Sequence, residues 1–170
     1  SLGTKAGSWF VLPRALSMGA AWSLREKKGS KERERTGTVA MQVAVALICR
    51  QDRLLVCQRR EGGAFPLKWE FPGGKVETGE GYSSALRREL KEELGIEVQS
   101  ATEVYRHSHL YPGGTEVELV FFRVDEYRGR VENHVFQRIL WVEIPSLLGL
   151  DFLEGDLPII EKIMRRELVA

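Results

Sequence analysis

Among 170 residues there are only two cysteines and three histidines, and no long apolar run. Two thiols, Cys49 and Cys57, each inside an apolar stretch, cannot supply a disulfide scaffold; they read as buried, reduced thiols of a cytoplasmic protein. A bridge between them across a hairpin is the lesser alternative. With no cysteine or third histidine at ligand spacing, the histidines do not suggest zinc. His107 and His109 share one face of a strand and read as solvated. Nothing approaches the roughly 18 consecutive apolar residues of a membrane-spanning helix, so no membrane is expected as a partner.

A strong excess of either charge is also missing, since the net charge is +1. That total hides an uneven distribution. Residues 1–40 carry eight Lys/Arg against three Glu, a net of +5, which leaves 17 basic and 21 acidic side chains, a net of −4, to residues 41–170. The run SLREKKGSKERERTG (Ser23 to Gly37) has few apolar residues and reads as solvated and mobile. The residues before it contain no acid, a faint similarity to a transit peptide. An inert extension is the preferred reading, because Met41 stands directly before the first strand-like run, where a natural start would lie. No aromatic residue interleaves the Lys/Arg run, which argues against nucleic acid as a partner.

What is present is enough for one domain over residues 41–170, with 43% hydrophobic residues in the chain and a core of useful size. QVAVALICR and RLLVCQR, separated by QD, read as two strands and a turn. Residues 82–94 read as a helix with Leu86, Leu90 and Leu94 on one edge and Gly95 as its stop. EVYRHSHLY and EVELVFFRVDEY around PGGT form a long hairpin. RILWVEI is a further strand, and LPIIEKIMRREL a closing helix with Pro158 in its first turn. The expected class is α/β (α+β), helices packed on a sheet, with no internal repeat. Monomer and homodimer are both compatible with this reading.

The helix 82–94 is crowded with acid. Relative to Leu86, Glu89, Glu92 and Glu93 fall at about 300°, 240° and 340° around the helix, one stripe beside the leucine edge, with the small Ala85 at about 260°. Like charges three and four apart repel, so an isolated helix gains nothing from them. Arg87, Arg88 and Lys91 interleave, and the helix alone is equally well an ordinary solvated face. The preceding WEFPGGK (Trp69 to Lys75) shifts the balance. Paired glycines let backbone approach a ligand, and glycine, lysine and clustered carboxylates together suit a phosphate–metal site.

These residues resemble a family. Gly74, five residues, Glu80, seven residues, then Arg88-Glu89-Leu90-Lys91-Glu92-Glu93-Leu94-Gly95-Ile96 fits the Nudix box at all nine fixed positions, and WEFPGGK narrows the resemblance to MutT-like nucleoside triphosphate pyrophosphohydrolases. The resemblance covers nearly everything from Met41 onward. It implies a Nudix α/β/α sandwich with a mixed sheet. It also implies hydrolysis of a nucleoside triphosphate to monophosphate and pyrophosphate with Mg²⁺, or Mn²⁺. By that resemblance Glu89, Glu92 and Glu93 are the catalytic, metal-binding carboxylates, with the Gly73 carbonyl as a further ligand. Gly74, Glu80 and Arg88 support the site. Arg59 or Arg60, at the end of a strand, and Lys75 are expected on phosphate; which arginine points inward stays open, since a one-residue slip exchanges their faces.

Two departures from the family pattern stand out. An acid often lies six residues before a late-strand tryptophan; here Trp141 leads back to Val135, with Glu132 three positions earlier. In LDFLEGDLPII, Asp156 occupies the place of a base-reading asparagine in the oxidised-guanine enzyme, and relatives acting on cytidine nucleotides often have aspartate there. An ionised carboxylate only accepts hydrogen bonds, which suits guanine's two adjacent donors; cytosine fits if the aspartate or the base is protonated. A helix cap is the equal alternative for Asp156. Phe71 and Phe152 are candidates to border the base, or to be core. Expected functions are therefore 8-oxo-dGTP hydrolysis in nucleotide-pool sanitation and DNA repair, or hydrolysis of CTP or a modified pyrimidine triphosphate. A silent nucleotide sensor is disfavoured because every box glutamate is kept.

Overall fold

The computed structural model of the chain describes residues 40–168; the basic extension read over residues 1–40 lies, apart from Ala40, outside them. The first strand, β1 (Met41–Leu47), sits at the centre of the fold. Its side chains alternate between two cores: Val43, Val45 and Leu47 enter one, Ala44 and Ala46 the other. A strand buried on both faces requires cover on both. Helix α1 (Tyr82–Leu94) packs Leu86, Leu90 and Leu94 over the alanine side. Helix α2 (Leu157–Met164) brings Ile159, Ile160 and Ile163 to the valine side. The result is the expected α/β/α sandwich.

The main sheet is mixed and runs β5-β1-β7-β6, with β5 (Gly73–Lys75), β6 (Glu97–Tyr111) and β7 (Thr115–Arg128). β1 is parallel to β7 and antiparallel to β5. A second sheet centres on β3 (Arg53–Gln58), flanked by β2 (Cys49–Arg50), β4 (Trp69–Glu70) and β8 (Arg138–Glu143). The run read as one strand from Gln42 to Arg50 thus breaks at Ile48, and its last two residues change sheet. The stretch around the glycine pair, to which the pattern assigns no strand, carries β4 and β5. Strands of two and three residues are too short to leave an alternating pattern. α2 ends at Met164 rather than Leu168, because Arg166 turns to a left-handed φ of 58° and its N–H donates to the Ile163 carbonyl at 2.9 Å.

Gly95 closes α1 as expected, at φ 71° with its N–H on the Lys91 carbonyl. The cysteines are unbridged, Cys57 buried and Cys49 half-buried. The histidine reading needs correction. His107 stacks on Phe121 at 5.7 Å and both its ring nitrogens are buried, while His109 meets the Tyr111 ring edge-on at 4.5 Å. The face they share is half-buried against Phe121 and Tyr111 rather than solvated.

Candidate active site

Two adjacent glycines bring α1 down onto β5. Gly73 has a φ of 146° and pairs with Val45 across β1; a Cβ there would stand 2.1 Å from the Ala44 carbonyl oxygen. At Gly74 a Cβ would fall 2.1 Å from the carboxyl carbon of Glu89. Glycine therefore leaves the space that the Glu89 carboxylate occupies. The Gly73 N–H donates to Glu93 Oε2 at 3.3 Å.

Burial of the three helix acids follows their angles around α1. Glu93, nearest the leucine edge, is 2% exposed; Glu89 is largely covered and Glu92 is open to solvent. Burial holds the Glu93 carboxyl well above the ordinary carboxylate range, and Glu89, Glu70 and Glu92 push it the same way. Glu89 is also raised, by burial first. Cys57, beneath them, is raised by burial and then by Glu93 and Glu70, so its thiol stays protonated. Glu93 Oε1 is buried with no hydrogen-bond partner. Such an atom normally has one.

Arg88 organises the rest. Its Nε and Nη2 bond the two oxygens of Glu80 at 3.0 Å each, Nη1 bonds Glu89 Oε1 at 2.7 Å, and Nη2 reaches the Lys75 carbonyl at 2.9 Å. Glu80 in turn accepts the Glu77 N–H at 3.0 Å. The box positions Glu80, Arg88 and Glu89 are thus one bonded unit joining the loop after β5 to α1, with Gly74 leaving room for it. Lys75 is exposed at the end of β5. With Glu77 and Glu80 it lines a groove of about 600 Å³ whose far wall is the β6–β7 turn at Gly114 and Thr115.

Among the described residues no three His, Cys, Asp or Glu side chains converge into a ready-made metal cage. Mg²⁺ seldom uses one; it keeps waters and substrate phosphate oxygens and takes one or two carboxylates. Paired acids that repel each other, an unpartnered Glu93 oxygen and a solvent-facing Glu92 fit that mode of binding. Glu132 does not join them. Its carboxylate lies 3.4 Å from His134 Nε2, and its N–H, like that of His134, satisfies a carbonyl at the end of α1.

The second half of the site is built where residues 151–156 zip onto β4. Trp69 N–H bonds the Asp151 carbonyl and Leu153 N–H bonds the Trp69 carbonyl, both at 2.9 Å. Asp156 then replaces backbone: its Oδ2 accepts the Phe71 N–H at 3.3 Å. It makes no side-chain cap on α2, so the capping alternative is set aside. Phe71 and Phe152 are buried, their rings 5.4 Å apart.

Of the two arginines, Arg59 is the one that points inward. It is buried with Nη1 at 3.0 and 3.3 Å from the Glu70 oxygens and Nε on the Ala64 carbonyl at 2.8 Å. Arg60 is exposed and donates to the Val135 carbonyl at 2.7 Å. Glu70 was not singled out in the sequence, although it stands inside WEFPGGK. Burial lifts its carboxyl to about 7 against the pull of Arg59. Asp156 is raised well above its usual value, chiefly by burial and next by Glu70. One guanidinium thus faces two buried carboxyls, and it bonds Glu70 directly. Glu70 has the guanidinium on its oxygens, whereas the hydrogen bond to Asp156 is the Phe71 N–H.

The NUDIX domain model matches residues 40–163. The chain is 33% identical over 124 residues to the CTP pyrophosphohydrolase of Escherichia coli, covering 73% of this chain and 91% of that protein. It is 34% identical over 125 residues to the 8-oxo-dGTP diphosphatase of Haemophilus influenzae, with the same coverage of each. The solution structure of the E. coli ORF135 protein superposes with a TM-score of 0.66 at 33% identity, covering 74% of this chain and 89% of that one. With its box residues joined as described, the chain belongs to the Nudix family and is a MutT-like hydrolase.

Proposed function

We propose that the chain hydrolyses nucleoside triphosphates to the monophosphate and pyrophosphate with Mg²⁺ and that its base pocket favours cytosine-type bases. The observation that carries the first part is Glu93, a buried carboxylate with one oxygen on the Gly73 N–H and the other unpartnered, beside the raised Glu89. Glu89, Glu92, Glu93 and the Gly73 carbonyl would hold the metal. Bound there, Mg²⁺ would neutralise phosphate charge and make water a better nucleophile. The chain's own groups orient and exclude. Arg88 keeps Glu89 turned toward the Gly74 backbone, leaving a carboxylate aligned to accept a proton from the attacking water. Lys75, on the rim of the 600 Å³ groove, is suited to meet departing pyrophosphate. Arg59, held by Glu70, serves phosphate only if that ion pair opens.

Base choice rests on Asp156. A neutral carboxyl both donates and accepts, matching the ring nitrogen and amino group of cytosine; its burial and the Arg59–Glu70 pair beside it favour that form. The E. coli relative named for CTP supports the same reading. Oxidised guanine is the second reading, favoured by the relatives named for 8-oxo-dGTP; an ionised Asp156 would suit its two adjacent donors. With it would come a part in nucleotide-pool sanitation and DNA repair. No helix among the described residues is long and apolar enough to cross a membrane; free nucleotides and unbridged cysteines both suit the cytoplasm. Competing CTP, 5-modified CTP, dGTP and 8-oxo-dGTP in one reaction tests the choice. Preference for the cytosine nucleotides that Asp156→Asn reverses or flattens supports it; preference for the guanine nucleotides overturns it.

A further inference from the structure

The residue before Asp156 is held by a side chain from β6. Tyr111 ends β6, and the turn that follows pins its backbone, with Gly114 N–H on the Tyr111 carbonyl at 3.1 Å. Its ring is buried, 3% exposed, between Phe65 at 5.3 Å and His109 at 4.5 Å. From there the hydroxyl accepts the N–H of Gly155 at 3.2 Å, a buried bond spanning 44 positions of sequence. Gly155 has no room for a side chain: a Cβ would stand 2.4 Å from the Tyr111 hydroxyl oxygen and 2.8 Å from Leu119 Cδ1.

The short 3-10 turn Glu154–Asp156 is therefore clamped at its middle residue. Asp156 leaves that clamp with its own N–H on the Leu153 carbonyl at 3.0 Å and Oδ2 on the Phe71 N–H at 3.3 Å. Those two bonds fix its backbone and one carboxyl oxygen. The Tyr111 bond fixes the Glu154–Gly155 peptide, one unit further back, and so sets where the chain enters Asp156. A two-carbon linkage to a carboxyl gives little slack, so a shift at Gly155 is passed to the group that meets the base.

We propose that Tyr111 is a positioning residue for nucleobase discrimination, acting through the Gly155 N–H on Asp156; this rests on the reading of Asp156 as the base-reading group. Tyr111 sits on β6 and the metal-side carboxylates on α1, so loss of its hydroxyl should leave the chemical step alone.

The test uses the full 170-residue chain with Mg²⁺, and CTP and 8-oxo-dGTP as probes. Tyr111→Phe keeps the ring and removes one oxygen. It should change the ratio of kcat/KM between the two nucleotides by about 5- to 10-fold, the scale of one buried hydrogen bond, through KM with kcat nearly unchanged. Gly155→Ala should perturb the ratio further, and adding Tyr111→Phe to it should restore part of the loss, since the hydroxyl oxygen is the atom nearest the new methyl group. Exchange of the Gly155 amide proton should quicken in Tyr111→Phe. A ratio that moves with Asp156→Asn but not with Tyr111→Phe overturns the positioning role and spares the reading of Asp156. A ratio that ignores Asp156→Asn overturns both. A fall in kcat with the ratio unchanged would make Tyr111 a merely structural residue.

Discussion

Gly73 and Gly74 are neighbours with different neighbours of their own, so one substitution should fail in two ways. Alanine at Gly73 meets the Ala44 backbone and a positive φ, and neither can yield. Gly73→Ala should cost about 2–4 kcal/mol of stability, read by denaturant melts. Alanine at Gly74 meets only the far end of the Glu89 side chain, which can swing away. Gly74→Ala should therefore fold near normally and lose turnover by about 100-fold through the displaced carboxylate. Glu93→Gln separates charge from shape. It should cut Mg²⁺-dependent turnover by at least about 100-fold, beyond the usual effect of a supporting residue. It should also melt no lower than the parent, because it removes a buried acid that its neighbours repel. A variant that unfolds instead would contradict the assignment of Glu93 as a functional rather than structural acid.

At the scale of elements, α1 serves both core and chemistry. Its leucine edge lies buried over β1, and Leu90→Ala should destabilise by about 2–5 kcal/mol. Arg88 ties the same helix to the loop after β5 through Glu80, Glu89 and Lys75. Arg88→Lys keeps the charge and loses the fork. A loss of about 10- to 100-fold in activity or metal affinity, with the melting midpoint little moved, is the expected result. The helix was legible in the sequence because leucines every four residues are a periodic signal, and the box spacing because it resembles the family motif. β4 and β5 were not, since strands this short carry no period. Glu70 escaped for another reason. Its importance comes from meeting Asp156 and Arg59 in space, and those lie 86 and 11 positions away. Asp156 was legible as a base-reading residue or a cap, and only the Phe71 N–H decides against the cap. The histidines misled because one apolar strand face looks like another until Phe121 and Tyr111 are placed against it.

For the molecule as a whole, two buried carboxyls beside one guanidinium make stability depend on pH with an unusual sign. Glu70 ionises near 4.5 when unfolded and near 7 when folded, and Asp156 is shifted upward too. Between those values the folded state binds more protons than the unfolded one, so stability falls as pH rises. Melts in EDTA should drop from pH 5 to pH 8, with the buried Glu93 contributing in the same direction; Asp156→Asn should drop less, and an unchanged slope in that variant would contradict the share assigned to Asp156. The whole account turns on one reaction. The 170-residue chain should be incubated with CTP in Mg²⁺ and in EDTA, and the products identified by phosphorus NMR. CMP with pyrophosphate in Mg²⁺, and neither in EDTA, is the predicted outcome. CDP with inorganic phosphate, or the same turnover in EDTA, would contradict it.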